Sequence, residues 1–248
     1  MGVQKILKFS LFITLVVFAA FSSAIDTQNR MSSESVDITL ITGPHTEVVE
    51  KSIDSAVRVI STMNYADDSA ITSASSGTYF AHNNRTYVIT AAHSLIGDCA
   101  GTMIVAGEYM FHCMDMAHLD HDRDIGIIEV ENIFNKKPIN IQDILYSEND
   151  IKNNTPVHEP LYYTGYPQGH GPFTFDGKIV SHRSENGLFF AHSYAWSGSS
   201  GSGVFNSHGK LVGIITAVSV ANTEYGIDVM EDLIIITSTN LLDFQDVL

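Results

Sequence analysis

The sequence predicts an all-β protein, either a barrel or a sandwich, and two observations support this. Many short apolar segments recur along the chain, and turn-forming residues separate them at fairly regular intervals. The composition is that of a globular protein, with 44% hydrophobic residues and only six prolines among 248 residues. A chain of this length accommodates one large all-β domain or two smaller ones that share a site.

The chain begins with a segment that has the features of a secretory signal peptide. Lys5 and Lys8 precede an apolar run, residues 9–21, that is too short to span a membrane comfortably. A small-residue cleavage site, Ser22-Ser23-Ala24, follows it. We therefore expect residues 1–24 to direct the protein to secretion or to a periplasm. An uncleaved membrane anchor is the alternative.

A polar N-terminal segment, residues 25–47, leads into the first half of the predicted fold, residues 48–140. A helical pattern runs from Thr46 to Ile53, and Thr46 is its expected cap. The strand-like segments that follow are 56–60, 76–80, 86–90, 103–105, 109–111 and 125–130.

A polar connection, residues 141–157, separates this part from the second half, residues 158–248. The strand-like segments of the second half are 160–164, 177–182, 188–192, 203–205, 211–216 and 225–229. The last apolar run, residues 233–242, is compatible with either a strand or a helix.

Three motifs combine residue types that suit nucleophilic catalysis. T-A-A-H ends a buried-strand pattern at His93, D-I-G-I-I-E-V begins a strand at Asp124, and G-S-S-G-S-G-V-F starts at Gly198. A serine in a glycine-rich loop acts as a nucleophile when a base lies beside it, and a carboxylate orients the base. A structural Gly/Ser turn is the alternative for the third motif taken alone.

In this order, the three motifs resemble those of the trypsin-like serine endopeptidases, over about residues 48–232. The short interval from His93 to Asp124 is most similar to the HtrA-type and V8-like bacterial branches, as are T-G-Y-P-Q-G at 164–169 and G-K-I-V-S at 177–181. The resemblance implies two six-stranded antiparallel β-barrels, chymotrypsin-like, with the active site in the cleft between them. No PDZ domain is expected beside them, because the resemblance ends at about residue 232 of 248.

The resemblance implies that Ser200 is the nucleophile, His93 the general base and Asp124 the residue that orients the base. Ser200 is favoured over the neighbouring serines because Gly198 lies two residues before it and Gly201 follows it. Asp122 is the alternative to Asp124, which directly precedes the apolar strand. The N–H groups of Gly198 and Ser200 would form the oxyanion hole.

The resemblance also implies where a substrate would bind. One wall of the specificity pocket would comprise Tyr194, Ala195 and Trp196. The strand that pairs with the substrate backbone would comprise Thr216, Ala217 and Val218. Small or medium apolar side chains are the expected preference, whereas an inward-pointing Asp228 would favour a basic residue.

Charge and composition restrict the partners. The net charge is −15, and it becomes −17 without residues 1–24, so the surface repels nucleic acid and anionic membranes. The expected partner is a protein or peptide substrate, and no cofactor is implied. Cys113, His118, Asp120 and His121 could ligate a metal, but the HxxH spacing is a weak signal and a convincing fourth ligand is lacking, so no metal is expected.

The two cysteines, Cys99 and Cys113, flank a predicted hairpin that turns at Ala106-Gly107. One bulge in that hairpin would place them opposite each other, and export would favour a disulfide between them. Two separate buried thiols are the alternative.

Two other functions share the predicted fold. A catalytically inactive binding protein on a protease fold usually lacks a triad residue, whereas all three are present here. A self-processing viral-type protease would be expected within a long polyprotein. A secreted serine endopeptidase that forms an acyl-enzyme is therefore the preferred prediction.

Overall fold

A computed structural model describes residues 45–183, 187–223 and 226–242. These residues belong to one compact unit, Val36–Leu248. The predicted signal peptide and nearly all of the polar segment 25–47 lie outside the described residues.

Six antiparallel strands form the first barrel, in the spatial order β1-β4-β5-β6-β3-β2, and pairing of β1 with β2 closes it. A two-residue strand, β7 (Ile139–Asn140), adds to β2 in parallel. The six strands are β1 (Ala56–Asn64), β2 (Ala70–His82), β3 (Arg85–Thr90), β4 (Thr102–Ala106), β5 (Tyr109–Asp120) and β6 (Ile125–Val130).

The second barrel is also closed and six-stranded, in the order β10-β13-β12-β11-β8-β9. Its strands are β8 (Pro160–Gly165), β9 (Phe173–Arg183), β10 (Leu188–His192), β11 (Gly203–Asn206), β12 (Leu211–Thr223) and β13 (Gly226–Ser238). The predicted double barrel is therefore confirmed. The ambiguous run 233–242 continues β13 and then ends in a 3-10 turn, Thr239–Leu241.

Two short helices accompany the barrels, α1 (Thr46–Ser55) and α2 (Glu148–Asn154). The predicted cap of α1 is wrong, because Thr46 is the first helical residue and His45 occupies the cap position without a side-chain hydrogen bond. Ser147 caps α2 by accepting a hydrogen bond from the Asp150 N–H. Within the described ranges, neither helix has the length and hydrophobicity that crossing a membrane requires.

The apolar core has three parts, one inside each barrel and one between them. Val88 packs inside the first barrel, whereas Tyr87 and Ile89 of the same strand belong to the cluster between the barrels. Alternation along a strand produces this division, since neighbouring side chains point to opposite faces. Phe205 and Ile214 enter the shared cluster from the second barrel. The cleft between the barrels therefore has a packed apolar floor.

Cys99 and Cys113 form a disulfide, as predicted, with their Cα atoms 5.3 Å apart. The expected geometry is wrong, however. The hairpin turns at Gly107 and Glu108, so that Met103 pairs with His112, and Cys99 lies in the turn before β4. The bridge therefore joins that turn to β5, and it leaves Cys113 without the thiolate that a metal ligand would need.

Removing the disulfide is expected to destabilise the protein by about 3 kcal/mol, because the bridge closes a loop of roughly 15 residues in the unfolded chain. The measurement is urea unfolding of the double variant Cys99→Ser/Cys113→Ser beside the wild type. Thiol counting on unfolded, unreduced protein is the control, and two free thiols there would contradict the bridge.

Candidate active site

His93 lies at the mouth of the first barrel, in a 3-10 turn (Ala92–Ser94) that follows β3. Ala91 and Ala92 are fully buried, whereas half of the His93 side chain is exposed. Small residues let this turn pack tightly against the barrel. The imidazole consequently projects from a rigid support into the cleft.

Asp124 holds His93 through both carboxylate oxygens. Oδ1 accepts a hydrogen bond from the His93 backbone N–H at 2.8 Å, and Oδ2 lies 2.7 Å from His93 Nδ1. A carboxylate can only accept, so Nδ1 carries a proton and Nε2 of the neutral ring is free to accept one. Asp122, the alternative, is exposed and makes no hydrogen bond to His93 among the described residues.

The backbone at Asp124 supports this geometry. Its φ is 58°, in the left-handed region that aspartate and asparagine tolerate better than most residues do. The residue lies directly before β6, whose Ile125 is fully buried. The turn thereby directs the carboxylate toward His93 while the next side chain enters the core.

The same contact sets the protonation behaviour of the ring. The hydrogen bond that His93 donates to Asp124 stabilises the charged imidazolium and raises the pKa of His93 above its ordinary value of 6.5, although partial burial opposes this. The pair therefore combines a fixed orientation with a more basic ring.

Ser200 is half-buried in the loop that precedes β11, and the first barrel holds that loop in place. Its carbonyl accepts a hydrogen bond from the Ser76 N–H of β2 at 2.9 Å. Gly201, at φ 84°, approaches so closely that a Cβ there would lie 2.9 Å from the backbone nitrogen of Ala91. Gly201 thus lies against Ala91, so the loop that carries Ser200 is in contact with the segment that leads into His93.

The N–H of Gly198 is directed away from the turn at residues 166–169. The Ser197 carbonyl accepts a hydrogen bond from the Gln168 N–H at 2.6 Å. The N–H and C=O of a trans peptide point in opposite directions, so the Gly198 N–H of this peptide points the other way. Only glycine suits position 198, because its φ is 92° and a Cβ would lie 2.7 Å from the Tyr166 carbonyl oxygen.

The N–H of Ser200 is oriented by the same principle. The Ser199 carbonyl accepts a hydrogen bond from the Ser202 N–H at 3.1 Å, so the Ser200 N–H of that peptide points away from it. Within the ranges that the structure describes, neither the Gly198 nor the Ser200 N–H donates to a protein acceptor. Two backbone donors are therefore left unpaired in one tight loop.

The predicted pocket wall is aromatic and partly exposed. Tyr194 and Trp196 stack with their ring centroids 6.1 Å apart and their planes 10° from parallel, while Ala195 between them is buried. The Trp196 Nε1–H donates to the Glu231 carboxylate at 2.9 Å, and the Ala195 N–H donates to the Glu231 carbonyl at 3.0 Å. Glu231 thus fixes this wall, a role that sequence reasoning missed.

The predicted substrate strand lies on β12, at a bulge that leaves Thr216 without a partner residue in the register with β13. Thr216 is buried, Val218 is half-buried and Ala217 is exposed. A cavity of about 520 Å³ lies beside Asp124 and is also lined by Thr216 and Ala217, whereas neither His93 nor Ser200 lines it. The side chain of Asp228 is outside the described residues.

Three further residues at the site were missed: Ser76, Thr90 and Gln168. Ser76 and Thr90 read as ordinary strand residues, and their contacts with the loop at 198–201 join positions more than a hundred residues apart. Gln168 lies within the T-G-Y-P-Q-G segment, and its φ of 53° marks a special backbone position. A sequence pattern alone carries no signal for such contacts across the cleft.

A family model described as "Trypsin-like peptidase domain" matches residues 75–214, which is more than half of the chain. The chain belongs to the trypsin-like peptidase family. The matched range of this trypsin-like peptidase contains His93, Asp124 and Ser200.

One solved structure gives independent support for the fold of the peptidase. It is the crystal structure of the serine endoprotease from Yersinia pestis, with a TM-score of 0.60 at 17% sequence identity. The match covers 81% of this trypsin-like peptidase and 64% of the Yersinia chain, so the peptidase spans less than two thirds of that protein. The sequence-based resemblance is confirmed at the level of family and fold.

Proposed function

We propose that the protein is a serine endopeptidase in which Ser200, His93 and Asp124 form the catalytic triad. The observation that carries the proposal is the pair of hydrogen bonds that His93 donates to the Asp124 carboxylate, from its backbone N–H and its Nδ1–H, next to a loop with two unpaired N–H groups. Each of these features, taken alone, is compatible with a purely structural role. Together they supply a nucleophile, an oriented base and donors for a developing negative charge.

In the proposed reaction, Ser200 Oγ attacks the peptide carbonyl while His93 Nε2 takes its proton. The Gly198 and Ser200 N–H groups donate to the resulting oxyanion, and Asp124 stabilises the imidazolium. His93 then protonates the leaving amine, which departs from the acyl-enzyme. Water, deprotonated by His93, hydrolyses the ester and regenerates Ser200.

Small or medium apolar side chains remain the proposed preference at the cleavage position. The described pocket residues Thr216, Ala217 and Ala195 are small and uncharged. Cleavage of a randomised peptide library tests this, and a dominant preference for lysine or arginine would contradict it.

The direct test of the function is labelling with a fluorophosphonate, which phosphonylates an activated serine. The folded wild type should react, and peptide mapping by mass spectrometry should place the adduct on Ser200. Heat-unfolded protein is the control and should remain unlabelled. A folded wild type that neither reacts nor hydrolyses peptides would favour an inactive binding protein on the same fold.

Activity should rise with pH as His93 loses its proton. Because Asp124 raises the pKa of His93, the midpoint of the kcat/KM profile is expected above 6.5. A protonated ring cannot accept the Ser200 proton, so activity is lost on the acid side of this midpoint. Initial rates across about pH 5 to 9 measure it. A flat profile, or a midpoint below 6.5, would argue against His93 as the base.

We also propose that the protein is secreted or periplasmic and that residues 1–24 are its signal peptide. The Cys99–Cys113 disulfide supports this, because disulfides persist mainly in oxidising compartments. Expression with export, followed by N-terminal sequencing, should give a chain that begins at Ile25. An intact N-terminus on membrane-bound protein would instead indicate an anchor.

A further inference from the structure

Ser76 is a fully buried residue of β2 that makes four hydrogen bonds where the two barrels meet. Its hydroxyl donates to the Gly198 carbonyl at 2.7 Å and accepts from the Tyr166 N–H at 2.8 Å. Its own N–H donates to the Ser200 carbonyl at 2.9 Å. Its carbonyl accepts from the Thr90 hydroxyl at 2.6 Å. One side chain and its backbone thus connect β3, the turn at 166–169 and the loop at 198–201.

These bonds fix the two residues whose N–H groups are unpaired. Ser76 donates hydrogen bonds to the carbonyl groups of Gly198 and Ser200, which belong to the same residues as the two unpaired N–H groups. The Ser197 and Ser199 carbonyls, which precede those N–H groups, are held by Gln168 and Ser202. Each donor is therefore flanked by two anchored peptides, and neither peptide can rotate without breaking a hydrogen bond.

The hydroxyl of Ser76 has a second effect, because it joins the turn at 166–169 to the loop at 198–201, and both segments orient the Gly198 N–H. The turn that contains Tyr166 and Gln168 holds the Ser197 carbonyl, and Ser76 ties this turn to Gly198. Without the hydroxyl, the buried Tyr166 N–H and Gly198 carbonyl both lose their partner. Buried backbone groups without partners are unfavourable, so the loop would rearrange to pair them.

We infer that Ser76 is a positioning residue that keeps the Gly198 and Ser200 N–H groups aimed at the oxyanion of the transition state. The inference rests on the proposed function. Donors of this kind act only when they are preorganised, since their contribution comes from having the right direction before charge develops. Ser76 itself touches no substrate.

Ser75 provides a matched control for this role. It is the adjacent residue on β2, it is 2% exposed, and its hydroxyl has no hydrogen-bond partner among the described residues. Ser75→Ala and Ser76→Ala therefore remove the same atom from neighbouring buried positions. Only the second change breaks contacts with the loop.

The experiment compares peptide hydrolysis by the wild type, Ser75→Ala and Ser76→Ala. Ser76→Ala should lower kcat about 10- to 100-fold, somewhat less than direct removal of one oxyanion donor, while KM stays within about twofold. Ser75→Ala should leave both constants unchanged. Thermal unfolding of all three proteins verifies that each is folded at the assay temperature.

A second readout separates positioning from a merely structural role. A peptide boronic acid forms a tetrahedral adduct when Ser200 Oγ bonds to boron and His93 takes the proton, and this adduct resembles the transition state. Its affinity should fall by the same factor as kcat/KM in Ser76→Ala. The affinity of the leaving-group product peptide, whose new terminus is an amine and offers the oxyanion donors no acceptor, should not change.

An unchanged kcat in folded Ser76→Ala would overturn the inference, as would equal losses for the boronic acid and the product peptide. If Ser76→Ala does not fold, Thr90→Val tests the same set of contacts by removing the donor to the Ser76 carbonyl. It should lower kcat several-fold at constant KM, and an unchanged kcat would again overturn the inference. A wild type that lacks hydrolysis and labelling refutes the proposed function itself, which distinguishes that failure from failure of the Ser76 role.

Discussion

Replacing Ser200 with alanine is expected to lower kcat by about a million-fold, because the remaining triad residues have no nucleophile to activate. Residual hydrolysis would come from substrate binding and the oxyanion donors alone. Stability should change little, since Ser200 is small, half-buried and in a loop. The measurement is peptide hydrolysis with enough enzyme to detect a trace rate.

Two checks accompany the Ser200→Ala variant. Its unfolding midpoint should match that of the wild type, which excludes loss of the fold as the cause. The fluorophosphonate adduct should disappear from the variant. Wild-type turnover, or an adduct that moves to Ser197 or Ser202 at full rate, would contradict Ser200 as the nucleophile.

Replacing Asp124 with asparagine should lower kcat by about ten-thousand-fold near neutral pH. Asparagine has the same shape and tolerates the φ of 58° at this position, so the backbone is preserved. The amide cannot stabilise the imidazolium as a carboxylate does, and its NH₂ group favours the wrong ring tautomer. The pKa of His93 should also fall, because the hydrogen bond that His93 donates to Asp124 is the largest influence that raises it. Rate measurements and NMR titration of His93 test both effects.

Asp122→Asn is the matched control, since it makes the same chemical change two residues away on the same turn. Asp122 is exposed and is not bonded to His93. Its activity should remain within about twofold of the wild type. If Asp122→Asn produced the large loss and Asp124→Asn did not, the two roles would have to be exchanged.

The sequence predicts those parts of the site that are attached to apolar strands. His93 follows the buried residues of β3, and Asp124 precedes the buried Ile125, so the alternation of each strand indicates where its polar end lies. The glycines around Ser200 indicate a tight loop for a similar reason, because their backbone conformations exclude most other residues.

Contacts between distant segments were not predictable in the same way. The pairing of Ser76 with Gly198 joins residues 122 positions apart, and that of Trp196 with Glu231 joins residues 35 apart. Ser76 and Glu231 by themselves resemble ordinary polar strand residues. Their roles follow from the closure of the barrels and their packing against each other, which no local pattern encodes.

Two strands are also longer than the sequence predicts. The predicted strand 109–111 continues to Asp120 as β5, and the predicted strand 76–80 begins earlier, at Ala70, as β2. These extensions are largely exposed, so they lack the alternation of apolar and polar residues that reveals a half-buried strand. Hydrogen bonding to the neighbouring strand maintains them instead.

The division of the site between the barrels has a consequence for the order of events during folding. His93 and Asp124 come from the first barrel and Ser200 from the second, while Ser76 of the first barrel anchors the loop of the second. Contacts between residues so far apart in the chain form late, because closing long loops costs entropy before any contact repays it. A chain with only its first barrel folded has a base but neither a nucleophile nor oxyanion donors. On the proposed mechanism, hydrolytic activity therefore first appears when the second barrel docks, so an emerging or half-folded chain cannot cleave itself or its neighbours.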